Sequence, residues 1–271
     1  MSDIIPITRP SAGMAPQQSK PEQPKYPTEF ISLPSQGLLY DSSNPLSTGQ
    51  LEMKQLTARE ENLLSNTTLL RNGTLIDKLL ESVIVDKSIK VDDMLMVDVD
   101  ASIIACRSIS YGPKFDVQVT CGKCGKESQV EMDITTMKNK ELDLSVYPKG
   151  KNEFPFQLPS SKVNITFKFL TRKDIYNIDK EIESLKKISK QSAEMTTRLN
   201  YIITSVDGDN SVARIRKFVD NELLSKDSLE LRRYIKNISP EFDTSFEFHC
   251  EHCDYTKVEV PSLGTNFLFP N

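Results

Sequence analysis

The chain has 271 residues, 38% hydrophobic and 27% charged, with 34 Lys plus Arg against 38 Asp plus Glu for a net charge of −4. That length supplies one to two domains with a real core, while no run of about 18 apolar residues exists to span a membrane and Met1–Ile7 is too poor in apolar residues for a signal peptide. Mild acidity argues against a non-specific nucleic-acid binder, which needs a basic footprint.

Residues 1–28 are polar and carry Pro6, Pro10, Pro16, Pro21, Pro24 and Pro27. Such a stretch buries too little surface to offset its ordering entropy, and a disordered Pro-rich tail is expected. The PxxP spacing of Pro21, Pro24 and Pro27 leaves a docking peptide open. Residues 29–112 follow as an opening segment with helices. Phe30 to Tyr40 sets apolar residues around a turn signal at Pro34–Gly37. Thr57 and Glu60 have the spacing of a capping box, with the helix running to a break at Asn72-Gly73. Thr74 is placed to cap the next helix, whose Leu75, Ile76, Leu79, Leu80, Val83 and Ile84 form one stripe. A further helix is expected from Asp92 to about Ile109, with Met94, Leu95, Ile103, Ile104 and Cys106 inward.

At Pro113 the period changes to two. Phe115, Val117 and Val119, then Val130, Met132 and Ile134, alternate as a hairpin over about 113–135. Phe154 to Phe169 reads as further strand. A long helix is expected from Arg172 to Val206, a turn at Asp207-Gly208-Asp209, and shorter helices over Val212–Leu223 and Ser225–Ile238. The last of these has Asp227 in its first turn and basic residues late, as the helix dipole favours. Alternation returns from Ser245 to Val260, so a second hairpin covers about 244–262. Residues 113–271 thus read as two hairpins with a strand-plus-helical insertion between them.

Each hairpin carries a CxxC pair at its tip: Cys121 and Cys124, then Cys250 and Cys253. A CxxC turn places two sulfurs on one edge of a tetrahedron, and two such turns make a four-cysteine site for Zn²⁺. The expected fold class is therefore α+β, a mostly helical body with two CxxC hairpins joined as a zinc ribbon. Gly125 suits the tight turn after the first pair; Asp254, which can also visit the left-handed region, takes that place in the second. Disulfides within the pairs, a thioredoxin-type motif and unliganded thiols are the alternatives. The first lacks a secretion signal, the second needs a strand–CxxC–helix setting where these pairs sit between strands, and the paired spacing favours zinc over the third. Four cysteine ligands leave no open position, so the metal is structural. His249 and His252, the chain's two histidines, adjoin the second pair and are read as solvent-facing or supporting residues. With both histidines there, no dispersed Ser-His-Asp arrangement exists, and HExxH, GxxxxGK(S/T) and GxGxxG are absent. The chain is expected to be no enzyme, with no small-molecule substrate. Cys106, in an apolar run, reads as an inert core thiol.

Phe30-Ile-Ser-Leu-Pro-Ser-Gln-Gly-Leu-Leu-Tyr40, then Met96-Val-Asp98, Ile103-Ile-Ala-Cys-Arg107-Ser-Ile-Ser-Tyr111-Gly112 and Val119-Thr-Cys-Gly-Lys-Cys-Gly125, and finally Phe267-Leu-Phe-Pro270 resemble, in that order, the baseplate hub assembly proteins of T-even-type contractile-tailed phages. The resemblance spans about Phe30 to Pro270. It implies a component of the phage baseplate hub, or a factor needed to build it, with hub proteins as partners. It places the protein in the cytoplasm of the infected host or in the virion baseplate. Within this segment Asp98 and Arg107 are either an ion pair or two unrelated charges. The competing reading is a zinc-ribbon nucleic-acid-binding protein, opposed by the net acidity and by Glu251 and Asp254 at the second pair.

Overall fold

The computed structural model describes residues 26–188, 193–260 and 267, so the Pro-rich segment through residue 25 lies outside the described residues. Strand β1 (Thr28–Ser32) pairs antiparallel with β2 (Gln50–Lys54). Ordered chain thus reaches back to Thr28, where a tail was expected, because Thr28 pairs with Lys54 and its hydroxyl donates to Glu52 at 2.6 Å. Between the strands the Pro34–Gly37 signal closes a turn, with the Gln36 N–H donating to Leu33 O at 2.9 Å. Gly37 has a φ of +74°, and a Cβ there would sit 2.5 Å from the Ser47 carbonyl oxygen. Both conformation and close approach call for glycine.

Helices α1 (Ala58–Leu64), α2 (Thr67–Arg71) and α3 (Leu75–Val83) follow. Glu60 reaches back to accept the Thr57 N–H at 2.9 Å, as the sequence pattern predicts. The single helix expected up to Asn72 is two: Asn66 leaves the helical conformation, and its side-chain oxygen accepts from the N–H groups of Thr68 and Leu69, starting α2. Leu75, Leu79, Leu80 and Val83 of α3 are buried, with Ile84 beyond its end. Helix α4 (Met96–Tyr111) starts later than expected; residues 91–93 form a 3-10 turn, and Met94 and Leu95 are buried ahead of the helix.

The first hairpin is β3 (Lys114–Thr120) with β4 (Glu127–Asp133), Phe115 opposite Met132 and Val117 opposite Val130. After the short β5 (Lys138–Asn139), strands β6 (Phe154–Gln157), β7 (Asn164–Phe167) and β8 (Ile203–Val206) form an antiparallel sheet in that order. Helices α5 (Arg172–Ile188) and α6 (Glu194–Ile202) lie between β7 and β8. The long helix expected over 172–206 is therefore two helices and a strand. The β-branched residues Ile203, Thr204 and Val206 suit a strand, and β7 offers an edge on which Ile203 and Val206 become buried. Helix α7 (Val212–Lys217) widens into a π turn through Glu222, and α8 (Ser225–Ile238) follows. Strand β9 (Phe242–Asp243) pairs with β5, and β10 (Phe246–His249) with β11 (Thr256–Glu259) forms the last hairpin.

One apolar cluster runs from Leu33, Leu51 and Met53 through α3 and α4 to Phe154, Phe167 and Phe218. Asp98 is buried within this body and accepts from Ser35 N and Oγ at 3.1 and 2.7 Å and from the Tyr40 hydroxyl at 2.7 Å. It does not pair with Arg107, which donates to the carbonyl oxygens of Gly112 and Lys114. Nine residues are about two and a half helical turns, which sets the two side chains on opposite faces of α4. The α+β class expected from the sequence holds.

Candidate metal centre

The two CxxC turns close alike. The Cys121 N–H donates to Lys126 O at 2.8 Å, and the Cys250 N–H to Tyr255 O at 3.0 Å. Inside each turn a backbone N–H approaches the first sulfur: Lys123 N to Cys121 Sγ and His252 N to Cys250 Sγ, both 3.4 Å. Gly125 uses a φ of +68° to leave the first turn. Asp254 does not follow it into the left-handed region, so the second turn exits differently from the sequence expectation.

The hairpin tips meet. Cys121 Sγ lies 3.7 Å from Cys253 Sγ, and Cys124 Sγ lies 3.7 Å from Cys250 Sγ. All four sulfurs fall within 4.8 Å of one another. An ion bound tetrahedrally at about 2.3 Å from each sulfur requires S···S edges of about 3.8 Å, so the cluster has the size to hold one. The four are free thiols, Cys121 buried and Cys124 exposed. Burial alone would raise the Cys121 thiol, but the N–H groups of Cys124 and Lys123 together with the Cys250 and Cys124 thiols bring it down to about 6. Cys253 is pushed up to about 12, by burial first and by its sulfur neighbours against the Tyr255 N–H. One thiolate forms readily, the next is opposed, and a cation among them removes that conflict.

The matching family is described as T4 bacteriophage base plate protein, over residues 30–268. The chain belongs to this family. The match covers both CxxC turns and the body from Phe30, close to the span of the resemblance in the sequence. No curated protein and no solved structure matches the chain. A baseplate protein works through other baseplate proteins, and no helix among the described residues is long and apolar enough to cross a membrane.

The remaining reactive side chains of this baseplate protein lie outside the cluster. The His249 side chain is exposed, with Nδ1 3.2 Å from the Thr256 hydroxyl. His252 Nε2 lies 3.3 Å from Glu127 O, reaching from one hairpin to the other. Neither belongs to the sulfur group. Cys106 is buried in α4, where burial pushes its thiol up to about 12. Two further aromatic residues lie on the second hairpin, and sequence reasoning singled out neither. Phe248 is fully buried on β10, and the Tyr255 ring approaches Gly122 across the tips, where a Cβ would sit 3.5 Å from the hydroxyl. The period-two pattern contained Phe248; Tyr255, next to the second pair, carried no periodic signal. Phe267, in the expected aromatic end, packs edge-on against Phe115 at 4.9 Å.

Proposed function

We propose that this baseplate protein acts at the baseplate hub, as a component or as a factor in its assembly, by docking onto other hub proteins. One Zn²⁺ held by Cys121, Cys124, Cys250 and Cys253 clamps its two hairpins as a zinc ribbon. The observation that carries the metal is the meeting of four sulfurs, two of them 3.7 Å apart and 126 positions apart in sequence. Soft thiolates in a tetrahedron favour zinc. A site closed by four cysteines has no position for water or substrate, so the metal holds the ribbon together rather than acting in catalysis, and we read the protein as a docking protein and no enzyme. Assembly takes place in the infected cell, and the protein either stays in the virion baseplate or leaves before completion.

Elemental analysis of the full chain, purified without chelator, tests the metal: one zinc per chain is expected, and a folded protein without zinc overturns the site. Binding to hub proteins in a pull-down, without DNA binding, is expected for the hub role. Tight DNA binding with a steep salt dependence would favour a nucleic-acid function instead.

A further inference from the structure

A groove of about 460 Å³ opens on the opposite part of the chain from the cysteines in sequence, between the β1–β2 ribbon, the start of α1 and the residues after α3. Tyr26 and Val85 line it with Lys54, Arg59, Lys87 and Glu60. Tyr26 is 43% exposed, and Phe30, on the same strand face as the groove residue Thr28, is 68% exposed. Among the described residues β1 has a strand partner on one edge only, β2.

The groove's charge is unbalanced. Glu60, its one carboxylate, is buried and already accepts from Thr57 and from Lys54 at 2.9 Å. Arg59 is exposed and has no ion pair among the described residues. Lys87 donates to the carbonyl oxygens of Glu81, Ser82 and Ile84, and closes the end of α3. Its ammonium is held below the ordinary lysine value, by burial first and then by the charge of Lys54. With Lys54 already paired to Glu60, Arg59 and Lys87 leave the lining with an excess of positive charge on a chain of net charge −4, and exposed aromatic surface beside Arg59 selects for the opposite sign.

We propose that this groove docks an acidic, extended segment of a partner protein, with a carboxylate on Arg59 and an apolar side chain against Tyr26 and Val85. The groove and the cysteine turns share no residue, so this docking stands or falls independently of the metal.

The probe is a fluorescein-labelled nonapeptide with a central Phe and Glu on both sides, titrated into the full chain and read by anisotropy. Binding is expected, weakened at least about tenfold by Arg59→Glu and little changed by Arg59→Lys. It should also weaken as salt rises from roughly 50 to 300 mM, and a Lys-for-Glu peptide should not bind. Arg59 is exposed and has no ion pair among the described residues, so the variant is expected to fold, with circular dichroism as the check. Equal affinity for the wild type and Arg59→Glu overturns the proposal. So does undiminished binding of a peptide with Ala in place of Phe, which would reduce the groove to a bare charge. A single-stranded oligonucleotide that displaces the peptide would assign the cations to nucleic acid. Dissociation of a self-assembled form by Arg59→Glu would assign the groove to a second copy, and either result overturns the proposal.

Discussion

Phe167 and Phe248 are both fully buried, but their surroundings differ. Phe167 stacks on Phe154 at 5.3 Å and meets Tyr234 and Phe169 edge-on, in a body where Leu79, Leu80, Met94 and Phe154 are also shut from solvent. Phe248 sits on a two-stranded ribbon whose outer side leaves Val258 64% exposed. A ribbon of two strands is marginal alone. The body holds itself by apolar burial, at about 1.5–3 kcal/mol for each large side chain. The paired hairpins have few such side chains and meet through sulfur. The contrast teaches where each region is vulnerable: the body to lost volume, the ribbon to a lost cysteine.

The largest expected effect falls on the ribbon. Structural zinc sites bind with apparent free energies of about 10–16 kcal/mol at neutral pH. Cys121→Ser or Cys250→Ser should therefore remove the zinc and cost the ribbon more than about 5 kcal/mol of local stability. Both hairpins should open together in hydrogen exchange over 114–133 and 246–259. The double variant should be little worse than either single one, because both remove one site. Clearly additive losses would break the comparison, since the two turns would then be held separately.

Next comes the body. Phe167→Ala should cost about 3–5 kcal/mol in denaturant unfolding. Zinc content should not change at temperatures where the variant is folded. Loss of zinc in this variant would mean that the two regions are a single cooperative unit.

Acid separates the regions further, through a smaller term. Burial works to raise the Glu60 carboxyl, but hydrogen bonds from the Thr57 hydroxyl and Lys54, with the charge of Lys54, hold it at about 2. A depressed acid adds stability above its ordinary value of 4.5 and loses it as pH falls toward 2. Glu60→Gln should destabilise the body by about 1–3 kcal/mol at neutral pH. The variant should also flatten the body's stability across that acid window, as read by urea unfolding at successive pH values. An unchanged acid profile would remove Glu60 from the account.

The smallest effect belongs to Cys106→Ser. The hydroxyl enters a buried position at a cost of about 1 kcal/mol, and zinc content should stay the same because the thiol is not in the sulfur group. A fall in zinc would place Cys106 in the metal's surroundings and blur the line between body and ribbon.

Much of this architecture follows from local pattern. The stripe of α3, the Glu60 reach to Thr57, the α8 boundaries and both period-two hairpins depend on neighbours within a few residues, and those the chain order carries. The pairing of two CxxC turns is also legible, because four thiols in two like turns have few uses other than one shared ion. Non-local competition decided the rest. Ile203–Val206 continues a helical run by sequence and becomes a strand because β7 offers it an edge. Asp98 finds Ser35 and Tyr40, about sixty positions away, rather than Arg107 on its own helix, because helical phase sends the two side chains apart. The sequence by itself determined which residue types could form helices, ribbons and a thiolate cluster. Only the tertiary structure decided which distant partners completed them, because a strand edge, a buried carboxylate's donors and the second half of a four-cysteine cluster are supplied by chain that local periodicity does not reach.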